Sequence, residues 1–203
     1  MRLEIGCSDG QMTQMLAQRL RHLTVVEASE RFVGEVQQRQ IGNATVHHCM
    51  FENFAPTSSY DCVFATWVLT HMVDVQAVLK HAQGMLSGDG LLFVGVPNVR
   101  VLSRQLACHM GLLEDLYGLT PNDLAHGHLR AYDRQRLNSE LDRAGFEVVA
   151  QRGLMMKFLA DFQMDQLYET EMLTVAHVDG LFSLGNEYPD LTSAIYSVCK
   201  VKQ

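Results

Sequence analysis

Three residues near the start of the chain have the types and spacing of a ligand-binding turn. Glu4, Gly6 and Gly10 lie in LEIGCSDG, between an apolar run and an amphipathic run with helical spacing. Gly6 can adopt a backbone conformation barred to other residues, and Gly10 lets a ligand or a helix approach closely. The Glu4 carboxylate suits a cationic group such as an ammonium. An ordinary glycine-rich turn is the alternative, and the spacing differs from the glycine motifs of dinucleotide-binding and phosphate-loop proteins.

A second acid follows the next predicted strand. Glu27 ends the run TVVE, about 20 residues after the glycines, where a carboxylate can accept both hydroxyls of a ribose. An exposed charge that opens a helix is the alternative for Glu27 taken alone. The combination of the two motifs favours the ribose interpretation.

The predicted elements place both motifs at one edge of a sheet. Short apolar strands alternate with amphipathic helices, which implies a parallel sheet covered on both faces. In such folds ligands bind beyond the carboxyl ends of the strands, where the strand order reverses. The two late strands, without a crossover helix between them, are expected to pair antiparallel. The predicted strands are Leu3–Ile5, Thr24–Val26, Thr45–His48, 60–69, 90–97, Phe146–Ala150 and 193–201, and the predicted helices are 11–20, a helix capped by Ser29 through Gln40, Val75–Leu86 and Arg134–Ala144.

Length and composition limit the function classes. The 203 residues suit a single domain, 1–203, with 99–130 and 154–190 as helical cap or substrate insertions after the fifth and sixth strands. The net charge of −7 argues against a nucleic acid or an anionic membrane as the main partner. The sequence shows no signal-like segment and no apolar run of the ~20 residues that a membrane span needs, so we expect a cytoplasmic protein. Five scattered cysteines indicate reduced thiols, and no metal site is predicted.

Four motifs in order resemble those of the class I S-adenosylmethionine-dependent methyltransferases. LEIGCSDG is similar to the first motif of that family, VVEAS to the second, YDCVFATWVLTHMVD to the fourth and MLSGDGLLFVGVPN to the signature that follows, covering residues 3–98. The later stretches GHLRAYD, AGFEVV and YPDLTSAIY resemble a bacterial small-molecule methyltransferase-like subgroup. The resemblance implies an α/β, doubly wound, mostly parallel seven-stranded Rossmann-like sheet with the last strand antiparallel.

The resemblance also implies S-adenosylmethionine as cofactor and S-adenosylhomocysteine as product. Glu4 and the glycine motif would hold the methionine part, and Glu27 the ribose. Cys49 and Met50 occupy the place of the acid that contacts the adenine amino group in many relatives. Met50 and Phe51 are predicted to sandwich the adenine ring, with burial in the core as the alternative. The predicted cofactor-binding residues are Glu4, Gly6, Cys7, Gly10, Glu27, Ala28, Met50, Phe51, Glu52, Thr66 and Trp67.

Histidines are the candidate groups for proton chemistry. Methyl transfer from a sulfonium is an in-line displacement that mainly needs orientation and exclusion of water, although a hydroxyl acceptor benefits from a general base. His71 and His128 are the candidate bases, and an orienting role is the alternative for His71. His126, Arg130 and Tyr132 are candidate substrate-binding residues. A hydrogen-bonded hinge that ties the insertion to the next helix is the alternative for this cluster.

The segment 154–190 is rich in methionine and aromatic residues. Its pattern is typical of a core stripe or a homodimer face, and lining of an apolar acceptor pocket is the alternative. The predicted partners are therefore a small-molecule acceptor and a second copy of the chain through 154–190.

The leading function is methyl transfer to a small molecule, with oxygen favoured over nitrogen. A non-catalytic or weakly active cofactor-binding relative that serves as an interaction domain is the alternative, and a nicotinamide-dependent oxidoreductase is disfavoured by the glycine spacing. In family members, helices that help to close the site precede the glycine motif, whereas here the motif begins at Leu3. Either the sequence is truncated at its N-terminus, or the site is more open than usual and is expected to bind the cofactor weakly.

Overall fold

The computed structural model describes residues 1–203 as one sheet with helices on both faces. The strands are β1 (Arg2–Ile5), β2 (Leu23–Glu27), β3 (Ala44–His48), β4 (Tyr60–Thr66), β5 (Leu86–Pro97), β6 (Phe146–Met156) and β7 (Thr192–Val201). The helices are α1 (Gln11–Ala17), α2 (Glu30–Gln38), α3 (Val75–Met85), α4 (Leu102–His109), α5 (Pro121–Ala125), α6 (Arg134–Arg143), α7 (Asp161–Glu169) and α8 (Val175–Glu187). The strand order is β3-β2-β1-β4-β5-β7-β6, and β7 runs antiparallel to both of its neighbours.

The central strands are apolar because both faces of the sheet are covered. Every residue of β2 is buried, and Leu3, Val63 and Leu92 on three neighbouring strands are fully excluded from solvent. The main core joins these strands to the apolar faces of α3 and α6. A parallel sheet of this kind is stable only when helices cover it on both sides. None of the helices is long and apolar enough to cross a membrane.

Side-chain caps begin two of the covering helices close to the strand edge. The Ser29 hydroxyl accepts a hydrogen bond from the Phe32 amide at 3.5 Å at the start of α2, which confirms the predicted cap. The Asp74 carboxylate accepts from the Ala77 amide at 3.0 Å at the start of α3. Such caps satisfy amides that the helix itself leaves unpaired. They therefore determine where the chain turns back over the sheet.

The predicted architecture is confirmed, with one difference in the late strands. β6 continues to Met156, beyond the predicted end at Ala150, because β7 pairs with it from Phe146 opposite Val201 to Met156 opposite Thr192. The insertion after β6 consists of α7 and α8, which confirms the predicted helical insertion after the sixth strand. The antiparallel pairing of these strands is confirmed.

The insertion after β5 is fastened to the start of α6. The Tyr117 hydroxyl donates to Asp133 at 2.6 Å, and the Arg136 guanidinium lies 3.6 Å from the centre of the Tyr117 ring. Asp133 is also the N-cap of α6, since it accepts a hydrogen bond from the Arg136 amide at 2.8 Å. The insertion thus has a defined position above the end of β5.

Candidate active site

The carboxyl ends of β1, β2 and β4 form the edge where the strand order changes direction. β1 lies between β2 and β4, and it pairs parallel with both. Open α/β sheets bind ligands at such a point. Glu27 ends β2, Thr66 ends β4, and Glu4 lies one residue before the end of β1. The structure therefore brings both predicted acids to neighbouring strand ends.

The Glu27 carboxylate holds the loop after β1 against the end of β2. Its two oxygens accept hydrogen bonds from the Cys7 and Ser29 amides, each at 2.8 Å. The Cys7 thiol also donates to Glu27, with a sulfur–oxygen distance of 3.5 Å. Burial raises the pKa of this thiol and the Glu27 carboxylate adds to the rise, so the thiol stays protonated. A carboxylate offers about four acceptor positions, which leaves capacity for a ligand hydroxyl.

Glu4 carries an unsatisfied carboxyl oxygen at the acidic strand edge. It is 1 % exposed, and its Oε2 has no hydrogen-bond partner. Burial raises the pKa of Glu4 to about 7; the Thr13 hydroxyl lowers this pKa and the Glu27 carboxylate raises it. Buried polar groups are normally paired, so this carboxyl lacks a donor or a cation. The ammonium group of the cofactor that the resemblance implies fits this site.

Both glycines of the motif combine a backbone conformation that favours glycine with a close neighbouring side chain. Both have positive φ, +72° at Gly6 and +80° at Gly10, which other residues adopt only with strain. A Cβ on Gly6 would lie 2.5 Å from the Cγ1 atom of Val68, in the segment after β4. A Cβ on Gly10 would lie 2.6 Å from the Cγ2 atom of Val36 and 3.0 Å from Arg39, both near the end of α2. Gly10 therefore permits the close approach of a helix.

The predicted adenine contacts separate into exposed and buried residues. Met50 is 52 % exposed, whereas Phe51 belongs to the main core and packs edge-on against His81 of α3, with ring centres 5.0 Å apart. Ala28 and Glu52 are exposed at the same end of the sheet. Of the two predicted ring contacts, Met50 is the one that solvent and a ligand can reach.

Trp67 follows β4 in a conformation that is rare for a large side chain. Its φ is +58°, and its amide donates to the Gly95 carbonyl of β5 at 2.7 Å. A Cβ on Gly95 would lie 3.5 Å from the Trp67 ring, so the ring lies against this glycine and remains 44 % exposed. The neighbouring Thr66 hydroxyl donates to the Met12 sulfur at 3.2 Å. Strained backbone of this kind is frequent at functional sites.

The predicted histidines form one group at the mouth of the insertion. The rings of His71 and His128 meet edge to face with centres 5.0 Å apart, and His126 lies 6.3 Å from His128. His71 Nδ1 lies 3.2 Å from the Gly127 carbonyl oxygen, and His126 Nδ1 lies 2.8 Å from that of Asn122. Residues far apart in the sequence are thus gathered beside the end of β4.

Arg130 and Tyr132 are held by the protein itself. The Arg130 guanidinium donates to the carbonyl oxygens of Met72 at 2.6 Å and Val73 at 3.0 Å. Tyr132 is buried in the main core, and burial raises the pKa of its hydroxyl to about 12. The Arg130 contacts tie the insertion to the segment after β4, while Arg130 Nε and the Tyr132 hydroxyl have no hydrogen-bond partner.

A cavity of about 340 Å³ lies between the end of β5 and the insertion. It does not include Glu4 or Glu27, so it is separate from the acidic strand edge. Thr70 in the segment after β4 and His128 of the histidine group are among its lining residues. Its charged and titratable wall residues are Arg104, Asp123, His128, Arg130, Tyr132, Lys157 and Asp161.

Asp123 and Arg104 were not predicted as site residues. Asp123 completes a reciprocal cap with Thr120 at the start of α5, and Arg104 of α4 pairs with it at 3.2 Å. The pattern Thr-Pro-Asn-Asp is a recognisable helix start, so α5 carried a local signal. No local sequence pattern predicts the contact between Asp123 and Arg104.

The segment 154–190 leaves several large apolar side chains exposed. Phe162, Met172 and Val175 are each more than half exposed, while Met164 of α7 is buried. A homodimer through this segment stays a prediction.

Comparisons with known proteins agree with the motifs. The family described as Methyltransferase domain matches residues 2–151. The ubiquinone biosynthesis O-methyltransferase of Idiomarina loihiensis is 26 % identical over 169 residues, which cover 81 % of this chain and 68 % of that protein. Nodulation protein S of Bradyrhizobium diazoefficiens is 27 % identical over 107 residues, which cover 50 % of this chain and 51 % of that protein. The chain thus aligns with about half the length of the second relative.

The fold has a counterpart among solved structures. The crystal structure of the N-methyltransferase NodS from Bradyrhizobium japonicum WM9 superposes with a TM-score of 0.62 and 15 % identity, covering 100 % of this chain and 85 % of that one. Such a low identity establishes the fold alone. The family match, in contrast, runs from β1 into β6. The chain belongs to the methyltransferase-domain family, within the class I S-adenosylmethionine-dependent methyltransferases.

Proposed function

We propose that the protein transfers a methyl group from S-adenosylmethionine to an oxygen atom of a small-molecule acceptor. The proposal rests on the buried Glu4 carboxyl, whose Oε2 has no hydrogen-bond partner, beside Glu27 at the strand-order switch. The cofactor, when bound, supplies an electrophilic methyl group on a sulfonium. The tasks left to the chain are binding, orientation and exclusion of water.

The proposed cofactor-binding roles follow from the hydrogen bonds and the exposure of each side chain. Glu4 pairs with the ammonium of the methionine part, since its Oε2 has no hydrogen-bond partner in the protein. Glu27 accepts the ribose hydroxyls, because its backbone hydrogen bonds fix its orientation. Met50 offers an exposed apolar surface for the adenine ring, and Trp67 borders the methionine side.

The histidine group supports oxygen as the receiving atom. A hydroxyl acceptor has to lose a proton, and neutral imidazoles are suited to accept one near neutral pH. His71 and His128 lie beside the end of β4, and His128 also lines the cavity. The names of the relatives include both an O-methyltransferase and an N-methyltransferase, so the choice of oxygen depends on these histidines.

Cofactor binding is tested by isothermal titration of the full chain with S-adenosylhomocysteine. We expect saturable binding at one site, and a rise in melting temperature with S-adenosylhomocysteine but not with NAD. Loss of binding in Glu4→Gln or Glu27→Gln would place the ligand at the acidic edge. Stabilisation by NAD alone would contradict the proposal.

Methyl transfer is tested by incubating the chain with methyl-labelled cofactor and a metabolite extract, followed by mass spectrometry. Label in a methyl ether or ester supports transfer to oxygen, and label in a methylamine contradicts that part of the proposal. Binding without transfer to any acceptor would favour the alternative, a cofactor-binding relative that serves as an interaction domain.

A further inference from the structure

The two candidate bases differ in their surroundings. The His128 side chain is 19 % exposed and lines the cavity. His71 is exposed, lies outside the cavity wall, and has its Nδ1 directed to the Gly127 carbonyl oxygen at 3.2 Å. A group that removes a proton from an acceptor in the cavity has to reach that cavity. His128 meets this condition.

A single carboxylate, that of Asp123, lies next to His128. Asp123 Oδ1 is 3.4 Å from His128 Nδ1, and the His128 amide donates to the Asp123 carbonyl oxygen at 2.9 Å. Asp123 Oδ2 accepts hydrogen bonds from the Thr120 amide at 2.9 Å, the Thr120 hydroxyl at 2.8 Å and the Arg104 guanidinium at 3.2 Å. One oxygen is therefore saturated by the helix cap and the guanidinium, and the other is left for the histidine.

We propose that Asp123 is a positioning residue that orients His128 as the general base for the acceptor hydroxyl. This inference rests on the proposed function. A carboxylate at Nδ1 favours the tautomer with hydrogen on Nδ1, which leaves the Nε2 lone pair free. In the transfer step the acceptor hydroxyl gives its proton to Nε2 while its oxygen forms the bond to the methyl carbon. The C–S bond breaks, and its electrons remain on the sulfur.

The electrostatics around His128 agree with this role. Burial lowers the pKa of His128, His71 lowers it as well, and Asp123 raises it. The imidazole is therefore neutral at pH 7 and able to accept a proton. Burial raises the pKa of Asp123, but the hydrogen bonds from Thr120 and the charge of Arg104 outweigh it and keep the carboxylate ionised. The charged and titratable groups around His128 are Asp123 and His126 at α5, His71 after β4, Arg104 of α4, Arg130 beyond α5, and Lys157 and Asp161 after β6.

The pairing is tested without an acceptor, by proton NMR titration of the His128 Cε1–H signal in the full chain. Comparison with His128→Gln identifies the signal among those of the nine histidines. We expect the titration midpoint to move to lower pH in Asp123→Asn, because the protonated imidazole loses its counterion. We expect it to move to higher pH in His71→Gln, because His71 lowers the pKa of His128.

Thr120→Ala is the matched control for damage to α5. It removes the cap hydroxyl but keeps the Asp123 carboxylate, so the His128 midpoint should stay at its wild-type value. Asp123→Glu retains a carboxylate, so its His128 midpoint should lie closer to the wild-type value than to that of Asp123→Asn. An unchanged midpoint in Asp123→Asn, or an equal shift in Thr120→Ala, would overturn the inference. Calorimetry with S-adenosylhomocysteine on the same variants separates the two proposals. Absence of binding in the wild type contradicts the proposed function and leaves the titration result standing.

Discussion

The Glu27 carboxylate accepts a hydrogen bond from the Cys7 amide at 2.8 Å, which fastens the loop after β1 to the end of β2. Its second oxygen accepts from the amide of Ser29, the N-cap of α2. One buried side chain therefore orders two loops of the same strand edge. This acid has a structural task in addition to the proposed ribose contact.

Replacement of Glu27 by Gln should reduce both stability and cofactor binding. A glutamine presents an NH₂ group in place of one oxygen, so one backbone amide loses its acceptor. We expect the free energy of unfolding in urea to fall by about 1–3 kcal/mol. Affinity for S-adenosylhomocysteine should fall at least about tenfold by calorimetry, which corresponds to ~1.4 kcal/mol. Glu35→Gln, at an exposed ion pair with Arg31, is the control and should change stability by less than about 0.5 kcal/mol. Equal effects of the two substitutions would contradict the assignment.

Glu4 should make the stability of the ligand-free protein depend on pH. The pKa of Glu4 is about 7 in the folded protein, above its ordinary value of 4.5. Between these values the folded chain binds the proton more tightly than the unfolded chain does, so stability falls as pH rises through this window. Above this pH window, the charged Glu4 carboxylate lowers the free energy of unfolding by its full amount, on the order of 3 kcal/mol. Glu4→Gln imitates the protonated form and should exceed the wild type in urea resistance at about pH 8 but not at about pH 4. The same difference at both pH values would contradict this account.

Cofactor binding should release a proton from Glu4. An ammonium beside the carboxyl favours its charged form, so binding lowers the pKa of Glu4 from about 7. Calorimetry with S-adenosylhomocysteine near pH 6.5, in buffers of different ionisation enthalpy, should show proton release and an affinity that rises toward pH 8. Glu4→Gln should abolish the release and weaken binding. A buffer-independent heat in the wild type would show that Glu4 does not meet the ammonium.

The glycine loop should tolerate alanine poorly at Gly6. An added Cβ would lie 2.5 Å from Val68 Cγ1, at a φ of +72° that strains any other residue. We expect Gly6→Ala to lower the free energy of unfolding by more than about 1 kcal/mol. Gly34→Ala is the matched control, because Gly34 is in the interior of α2 with open space where its Cβ would lie. That change should stabilise the protein by about 0.5–1 kcal/mol. A neutral Gly6→Ala would mean that the loop adapts.

Features that depend on local sequence were predictable. Apolar runs followed by Glu27 or by the glycine pair place the strand ends, and the Ser29 cap follows from the residue type. β6 was predicted too short because its last residues are held by pairing with β7, which continues to Met156 opposite Thr192. This pairing joins segments that are far apart in the chain. Local periodicity carries no information about such pairing.

Side-chain environments at the site were less predictable than strand positions. Met50 and Phe51 are adjacent, yet a short 3₁₀ turn exposes the first and buries the second against His81. The partnership of Asp123 with His128 depends on how the insertion turns back over the sheet. The sequence predicted which residue types gather at this edge, but their pairing is a consequence of the packed structure.

Trp67 should report directly on occupation of the site. It is the single tryptophan of the chain, 44 % exposed and adjacent to Thr66 at the end of β4. A ligand on the methionine side of the site would displace water from the indole ring, so we expect saturable quenching or a blue shift of its fluorescence on titration with S-adenosylhomocysteine. The midpoint should match the dissociation constant from calorimetry. Trp67→Phe should abolish the signal, and adenine alone is the control for a ligand that lacks the amino-acid part. Calorimetric binding without any change in emission would place the ligand away from Trp67, because an indole ring beside the ligand cannot keep its hydration unchanged.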